Sequence, residues 1–384
     1  MDFYKINLEN ELEAKKIFNK IGSDDTGSKI MAKKAKLHAI YIKDLHVGAA
    51  NILKQDALSI GADLAVPMGT IIAQDKYVDV VLFGTTKHFE ILSKKELAQP
   101  FGLKRLAQEL QNFISLPQHK TKIMGIINAN DDSFFSGSRF VGDDAISKIH
   151  SMIEDGAQII DIGGVSTRPG SDAVTETEEL NRIKPICDVI KKNKLYKKVT
   201  FSIDSFTPNV IEYALKSGFT IVNDVTGLSN DEVARVTAKY KATIVIMHMQ
   251  GKPKNMQNNP TYNDLMIDID NFFKERIAKA KEYGIENIIL DIGIGFGKTL
   301  EHNLKLLKNM DHFLHFGYEV LIGASRKSII DKITPTPTEQ RLSGTLAIHL
   351  DSIKRGASIV RCHDVKEHFQ AIKVQEAILQ ANSN

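Results

Sequence analysis

The sequence predicts an α/β protein, with a (β/α)8 barrel that follows a small α+β unit at the N-terminus. From residue 122 onward, short apolar runs alternate with helical patterns eight times, and each apolar run ends in polar or charged residues. An apolar run that opens into a Gly- or Pro-bounded polar loop is typical of a βα unit. The chain from residue 122 to residue 384 has the length of such a barrel, roughly 250 residues.

The predicted barrel strands share an apolar body and a polar end, and they cover residues 123–127, 158–160, 199–203, 220–222, 243–246, 287–290, 319–322 and 359–360. In this fold the carboxyl ends of all strands open on one face. We therefore expect these side chains to converge there: Asn128, Asp161, Asp204, Asn223, Asp291, Lys327, Arg361 and His363.

Helical patterns separate these strands, at residues 145–156, 176–191, 208–218, 231–239, 262–284, 302–313, 339–356 and from 366 to the end. Apolar residues recur in them at the spacing of one helix face. The alternation of strand and helix is what a parallel barrel requires.

The first third of the chain, residues 1–118, is predicted as a separate α+β unit, and residues 119–384 as the barrel, with a linker at residues 115–118. Its predicted helices cover residues 11–21, 49–60 and 94–113, and its predicted strands cover residues 37–42, 78–83 and 89–92. Asp56 and Asp63 are its candidate site carboxylates, with ordinary surface acids as the alternative. The sequence indicates no role for this unit.

Composition narrows the class of protein. Hydrophobic residues make up 42% and charged residues 25%, which is ordinary for a globular protein. Lys+Arg 50 against Asp+Glu 47 gives +3, which argues against nucleic-acid binding, and the basic run at residues 191–198 is interpreted as a solvated loop. No apolar run approaches the roughly 20 residues of a membrane helix, and the N-terminus does not resemble a signal peptide. Cys187 and Cys362 offer no disulfide or metal spacing, which favours a reducing cytoplasm.

The expected cluster combines carboxylates, amides, cations and an imidazole. Carboxylates and amides suit a flat heterocycle with ring N–H donors and acceptors. The cations suit phosphate, pyrophosphate or a carboxylate, and the asparagine and nearby aspartates suit Mg²⁺ together with a phosphate. No serine–histidine or cysteine–histidine spacing indicates a covalent nucleophile. The cluster therefore predicts a site that positions its substrates and stabilises a departing anion.

The stretch DIGIGFGKT, residues 291–299, fails two phosphate-loop motifs. A P-loop requires glycine where Ile292 stands, and a dinucleotide fingerprint requires glycine where Lys298 stands. We interpret the glycines as a tight turn over the pocket, with Phe296 as an apolar wall, or as a purely structural turn. The role of His248 also has two interpretations: a site residue, or a buried histidine whose hydrogen bonds are satisfied.

Read in order, the motifs resemble those of the dihydropteroate synthases over residues 122–378: MGIIN at 124–128, DIGGVSTRPGS at 161–171, SIDS at 202–205, IVNDVTG at 221–227, IMHMQGKPKNMQ at 246–257, LDIGIGFGKTLEHN at 290–303, GASRKS at 323–328 and IVRCHDV at 359–365. The resemblance implies a TIM barrel and a transferase of folate biosynthesis. That family joins 6-hydroxymethyl-7,8-dihydropterin pyrophosphate to p-aminobenzoate, releases pyrophosphate, and is the target of sulfonamides.

The resemblance also implies site residues. Catalysis would involve Asp204, Asp291, Lys327, Arg361 and His363. Pterin binding would involve Asp204, Asn223, Met247, Asp291 and Lys327. The p-aminobenzoate wall would comprise Thr167, Arg168, Pro169, Phe296, Lys327 and Ser328. Pyrophosphate would meet Asn128, Arg168, Arg361 and His363, and Asn128 would bind Mg²⁺. Family members are commonly homodimers, so a homodimer is expected.

The chain departs from the family pattern in places. In the first loop, residues 128–138, Asp131 replaces a proline and Ser136 replaces an aspartate, and Ile292 stands where the family often has proline. Two alternatives therefore stay open beside the synthase. One is a catalytically impaired barrel that acts as a binding or partner protein. The other is a pterin-dependent methyltransferase, which would need neither the STRPG loop nor the SRKS motif.

Overall fold

The computed structural model describes residues 1–2, 4–8, 10–114, 119–129, 141–165, 174–251 and 256–381, with residues 141–144 and 380 described by their backbone alone. The chain divides into two units. The first comprises Met1–Leu116, His315–Gly317 and Val374–Asn384, and the second comprises Pro117–Leu314 and Tyr318–Lys373. The predicted linker at residues 115–118 lies outside the described residues.

The first unit is built on a three-stranded antiparallel sheet. Its strands are β1 (Leu37–His46), β2 (Asp63–Ala65) and β3 (Tyr77–Thr85), in the order β1-β3-β2. Side chains of β3 alternate between solvent and core, as a half-buried strand requires. Its helices are α1 (Glu11–Lys20), α2 (Asp25–Ala32), α3 (Val47–Ser59), α4 (Thr86–Lys95) and α5 (Leu103–Ile114).

Two predictions for this unit are wrong. Residues 89–92 are not a strand but part of α4, in which Phe89, Leu92 and Ser93 are buried at helical spacing. His88 Nδ1 accepts the Thr85 backbone amide at 3.3 Å at the start of this helix. The predicted helix over residues 94–113 is interrupted, because a 3₁₀ turn at Glu96–Ala98 and a left-handed Phe101 precede α5. Helix α2 and strand β2 were not predicted.

The second unit is a closed barrel of eight parallel strands, which confirms the predicted (β/α)8 fold. The strands are β4 (Lys122–Asn128), β5 (Ile159–Gly163), β6 (Thr200–Asp204), β7 (Ile221–Asp224), β8 (Thr243–Met247), β9 (Ile288–Asp291), β10 (Glu319–Ile322) and β11 (Ile359–Cys362). Side chains from the strands fill the interior as one buried cluster: Met124, Ile159, Ile221, Val245, Ile289, Leu321 and Ile359. All eight predicted strands are present, within a few residues at their ends.

The helices that surround the barrel are α6 (Val141–Glu154), α7 (Glu176–Lys192), α8 (Pro208–Lys216), α9 (Asp231–Lys239), α10 (Leu265–Glu282), α11 (Leu300–Lys308), α12 (Ser328–Ile333), α13 (Leu342–Lys354) and α14 (Val365–Gln380). The predicted helix over residues 302–313 is α11 followed by a 3₁₀ helix at Met310–Phe316, and α12 was not predicted. None of the helices in the described ranges has the length and apolarity needed to cross a membrane.

Candidate active site

Arg361 joins two carboxylates at the carboxyl ends of the strands. Its Nε donates to Asp161 Oδ2 at 2.6 Å, and its Nη2 donates to Asp204 Oδ2 at 2.7 Å. The strand order β11-β4-β5-β6 places these residues close together, although Arg361 and Asp161 are 200 positions apart in the sequence. Burial opposes the charge on Arg361, but the two carboxylates raise the pKa of its guanidinium. Three of the residues predicted to converge therefore lie together as opposed charges, with Asp161 buried and Arg361 and Asp204 partly buried.

Asp161 is a polar residue whose role the sequence did not reveal. It is fully buried, and its Oδ2 also accepts a hydrogen bond from Asn223 Nδ2 at 3.0 Å. Its Oδ1 is buried and has no hydrogen-bond partner among the described residues. A buried acceptor without a donor is costly, so this oxygen is suited to receive an N–H group or a cation from a ligand. The sequence placed Asp161 among the strand-end side chains expected to converge, but without a role in binding or catalysis.

Burial raises the pKa of two carboxyl groups at this site, those of Asp204 and Asp291. Burial raises the pKa of Asp204 to about 7; Arg361 opposes this shift, and the nearby charge of Asp161 adds to it. Burial also raises the pKa of Asp291, whose Oδ1 accepts the Gly293 amide at 2.7 Å. Raised carboxyl pKa values and paired cations are typical of functional sites.

The charges of Lys327 and Asp291 interact. Its Nζ donates to the Ile294 carbonyl at 2.6 Å and lies 4.5 Å from the centre of the Phe296 ring. Burial lowers the pKa of Lys327 to about 8, and the charge of Asp291 opposes this shift. Phe296 contacts the ammonium by a cation–π interaction, and its role as an apolar wall of the pocket stays a prediction.

The glycine-rich turn after β9 is held from inside by Lys298. Its Nζ donates to the carbonyls of His248, Gly293 and Phe296 at 3.2, 2.9 and 3.0 Å, and it lies 2.9 Å from His248 Nδ1. Lys298 is therefore not a phosphate-binding lysine. Gly293 has a φ of 65°, and a Cβ there would lie 1.9 Å from the His248 carbonyl oxygen, so glycine is required. Buried His248, with its pKa lowered to about 2 by burial, is the satisfied structural histidine.

Ser325 and His363 form a pair that spacing along the chain did not show. Ser325 Oγ lies 2.9 Å from His363 Nδ1 and also accepts the His363 backbone amide at 3.3 Å. The hydroxyl can donate to Nδ1 while its oxygen accepts the amide, and in that tautomer the ring would carry its own proton on Nε2. His363 is thereby suited to donate from Nε2 to an anion.

The other predicted residues fall into three groups. Met247 is buried at the end of β8, and Asn128 ends β4 beside Gly163 of β5. Ser328 is exposed as the first residue of α12. Thr167, Arg168, Pro169, Asp131 and Ser136 lie outside the described residues.

Oxygen atoms dominate the donors that a metal ion would meet here. Asn128 offers an amide oxygen at the end of β4, beside Gly163 of β5. Amide and carboxylate oxygens, completed by phosphate oxygens of a substrate, are the ligands that Mg²⁺ prefers. The residues present therefore fit this ion.

Residues 124–363 match the family described as pterin binding enzymes. A bifunctional dihydropteroate synthase/dihydropteroate reductase from Helicobacter pylori is 41% identical over 365 residues, which cover 95% of this chain and 96% of that protein. The dihydropteroate synthase of Escherichia coli is 40% identical over 273 residues, covering 70% of this chain and 96% of that protein.

Solved structures give the same similarity. Yersinia pestis dihydropteroate synthase in a sulfonamide drug complex is 38% identical, with a TM-score of 0.63 over 67% of this chain and 94% of that one. The Thermus thermophilus enzyme in complex with 4-aminobenzoate is 34% identical, with a TM-score of 0.61 over 67% of this chain and 95% of that one.

Proposed function

The chain belongs to the pterin binding enzymes, as a member of the dihydropteroate synthases, and from that premise we propose which of its residues carry the reaction. The observation that supports the assignment best is the partly buried network in which Arg361 joins Asp161 and Asp204. Such a network adds little to the stability of the fold, which favours a role in binding a ligand.

The pterin ring is proposed to bind to Asp204, Asn223 and Asp291, with Met247 lining the pocket. Carboxylates and an amide can accept and donate along the edge of this flat heterocycle. The unpaired Asp161 Oδ1 supports a further acceptor at the same edge. A ligand that lacked the matching N–H groups would leave these atoms without partners, which gives the site its selectivity.

The pyrophosphate is proposed to lie against Arg361, His363 and Asn128, together with Arg168. Arg361 contributes a planar fork, and His363 contributes its Nε2 proton. Mg²⁺ held through Asn128 and the pyrophosphate would neutralise charge on the leaving group. Because these groups bind the anion more strongly as it departs, they lower the barrier to its release.

The reaction breaks the C–O bond to pyrophosphate and forms a C–N bond to the amine of p-aminobenzoate, which then loses a proton. Charge on the pterin methylene is proposed to be stabilised by Asp204 and Asp291 as the anion leaves. Lys327 lies between this region and Phe296, and we place p-aminobenzoate along Phe296, Lys327 and Ser328, with Thr167, Arg168 and Pro169. Excluding water there would protect the methylene from hydrolysis.

Turnover of the purified full-length protein tests this assignment, with the pterin pyrophosphate, p-aminobenzoate and Mg²⁺ as reactants and pyrophosphate as the measured product. We expect release that requires p-aminobenzoate and decreases when Mg²⁺ is chelated. Tight pterin binding without turnover would contradict the proposal and favour the impaired binding barrel. Release unaffected by chelation would remove Mg²⁺ alone from the mechanism.

A second activity is favoured by one observation. The Helicobacter pylori relative, named as both synthase and reductase, matches 95% of this chain, including the first unit, whereas the Escherichia coli synthase matches 70%. We propose that this chain also reduces dihydropteroate. Hydride from a reduced nicotinamide or flavin would add to C6, and a proton would add to N5, to give the tetrahydro form.

The second activity is tested by incubating the full-length protein with dihydropteroate and each reduced donor, and by measuring tetrahydropteroate by mass. We expect product with at least one donor and none without protein. The absence of product with both donors, in a preparation that shows synthase turnover, would contradict the reductase and leave the synthase unaffected.

We also propose that the protein is a cytoplasmic homodimer. Buried, unpaired Cys187 and Cys362 support a reducing compartment, and the family resemblance supports the dimer. Light scattering of the purified protein measures the mass: a value near twice 42.8 kDa is expected, and a monomer at micromolar concentration would contradict the dimer.

A further inference from the structure

The loop after β10, residues 324–327, carries Ser325 and Lys327 of the proposed site, and α13 holds its backbone. The Ala324 amide donates to His349 Nε2 at 3.0 Å, and the Arg326 amide donates to Thr345 Oγ1 at 3.0 Å. Thr345 and His349 are four residues apart on α13, so they lie on one face of the helix. Both side chains are fully buried. Two acceptors on one helix face thus bind alternate amides of the loop.

A second histidine fixes the proton on His349. His349 Nδ1 lies 2.8 Å from His368 Nε2 on α14, and His368 Nδ1 lies 2.6 Å from the Asp364 carbonyl oxygen. An amide can only donate and a carbonyl can only accept, so both ends of this chain of hydrogen bonds are set. Each ring therefore donates from Nδ1 and accepts at Nε2. Burial, which lowers the pKa of both rings, keeps them neutral.

The loop is strained at Arg326. Its φ is 56°, in the left-handed region that non-glycine residues rarely adopt. Its guanidinium donates to both oxygens of Asp364, at 3.1 Å from Nε and 2.5 Å from Nη2, and Arg341 Nη1 donates to its carbonyl at 3.2 Å. Such a conformation persists where the surroundings over-determine it. Loss of an amide acceptor on α13 would let this backbone relax and move the next residue, Lys327.

We propose that Thr345 and His349 are positioning residues of the condensation, which fix the backbone that aims Ser325 and Lys327, while His368 keeps His349 in the tautomer that accepts the Ala324 amide. This inference rests on the proposed roles of Lys327 and His363. Thr345 and His349 affect turnover by holding the backbone of this loop and do not contact the substrates.

The matched pair His349→Gln and His349→Asn tests this assignment. The glutamine amide reaches the position of Nε2 and can accept the Ala324 amide, whereas the shorter asparagine cannot. For His349→Asn we expect kcat to fall on the order of 10- to 100-fold, since a small displacement of a catalytic group has an effect of this size. Pterin affinity, measured directly, should change little in either variant, and His349→Gln should restore most of the turnover.

Ser352→Ala is the control, because Ser352 is buried on the same helix and bonds to the Ile348 carbonyl, not to the loop. Its turnover should equal that of wild type. Equal kcat in the two His349 variants would overturn the inference. If His349→Asn does not fold, Thr345→Val against Thr345→Ser gives the same test at Arg326, with turnover lost in valine and kept in serine. A wild type without p-aminobenzoate-dependent release would instead contradict the proposed function.

Discussion

The two units differ in the amount of charge that they bury. The first unit packs an aliphatic sheet face against helices, with Leu53, Leu64, Val80 and Leu82 almost fully buried in one cluster. The barrel buries opposed charges at its strand ends, where Arg361 joins Asp161 and Asp204. Burying charge is costly, so a concentration of it at one end of a fold indicates a site. This difference explains why the barrel sequence revealed a chemistry and the first unit revealed only an architecture.

The largest expected effect is that of Lys327→Ala. We expect turnover to fall on the order of 10²- to 10³-fold, as when a preorganised charge is removed from a transition state. The melting temperature should change little. Lys33→Ala is the matched change in the first unit, where Lys33 pairs with Glu90, and its turnover should equal that of wild type. Steady-state pyrophosphate release measures both, and near-normal turnover of Lys327→Ala would refute the site assignment.

Asp204→Asn should lower turnover on the order of 100-fold, because the amide keeps the shape but not the charge that stabilises the methylene. Stability should be kept, since burial already raises the pKa of Asp204 to about 7. The control is Asp63→Asn, an exposed carboxylate of the first unit that accepts the Leu64 amide. Thermal melts and turnover separate the two effects. A turnover defect in Asp63→Asn would show that the first unit takes part in the condensation.

The third prediction compares the cost of replacing a glycine of positive φ by alanine in each unit. Gly61 has a φ of 85°, and the nearest atom to an added Cβ is His88 Nε2 at 4.0 Å, so Gly61→Ala should cost about 1 kcal/mol of backbone strain. Gly293→Ala would place its Cβ 1.9 Å from the His248 carbonyl oxygen, and we expect roughly 2–3 kcal/mol and lost turnover. Denaturant unfolding measures both. Equal costs would mean that the turn adapts more than its packing indicates.

The barrel could be predicted because its strands are uniformly apolar and end in polar residues, so existence, order and direction follow from one pattern. The first unit was harder, since the four residues 89–92 carry no period that separates strand from helix. In the structure, the bond from the Thr85 amide to His88 Nδ1 and the burial of Phe89 in α4 resolve that ambiguity.

The contacts of the site could not be predicted in the same way. Arg361 and Asp161 are 200 residues apart, and Ser325 and His363 are 38 apart, so no local spacing encodes either pair. The support of the loop by His349 depends on two helices and on the tautomers of two rings. Strand order determines which ends meet, and side-chain packing determines which atoms bond. The sequence pattern predicts the strand order but not the side-chain packing.

The smallest expected effect is a difference in pH response between the units. Burial, followed by the charge of Asp56, raises the pKa of Glu96 in the first unit from 4.5 to about 7. Between these two pH values the folded state keeps a proton that the unfolded state loses. The contribution of protonated Glu96 to the free energy of unfolding is therefore complete below pH 4.5 and disappears as pH rises through about 7. In the barrel, burial lowers the pKa of both His349 and His368 from 6.5. The charge of Lys327 lowers the pKa of His349 further. Asp364 and Glu367 oppose the lowering of the pKa of His368. The stabilisation from the two histidines is present above pH 6.5 and is lost as pH falls.

Glu96→Gln isolates the contribution of the first unit, because the amide fits the same space and does not titrate. We expect the variant to gain on the order of 1 kcal/mol over wild type at pH 8 and to lose that advantage near pH 5. Proteolysis of the full-length protein at each pH, with peptides of the two units quantified separately, gives the stability of each unit. An advantage of equal size at both pH values would mean that Glu96 acts through packing and not through its proton. An advantage in barrel peptides alone would place the effect in the wrong unit. The opposite slope of the barrel peptides in the same samples is an internal control, since a general effect of pH on the protease would move both sets together.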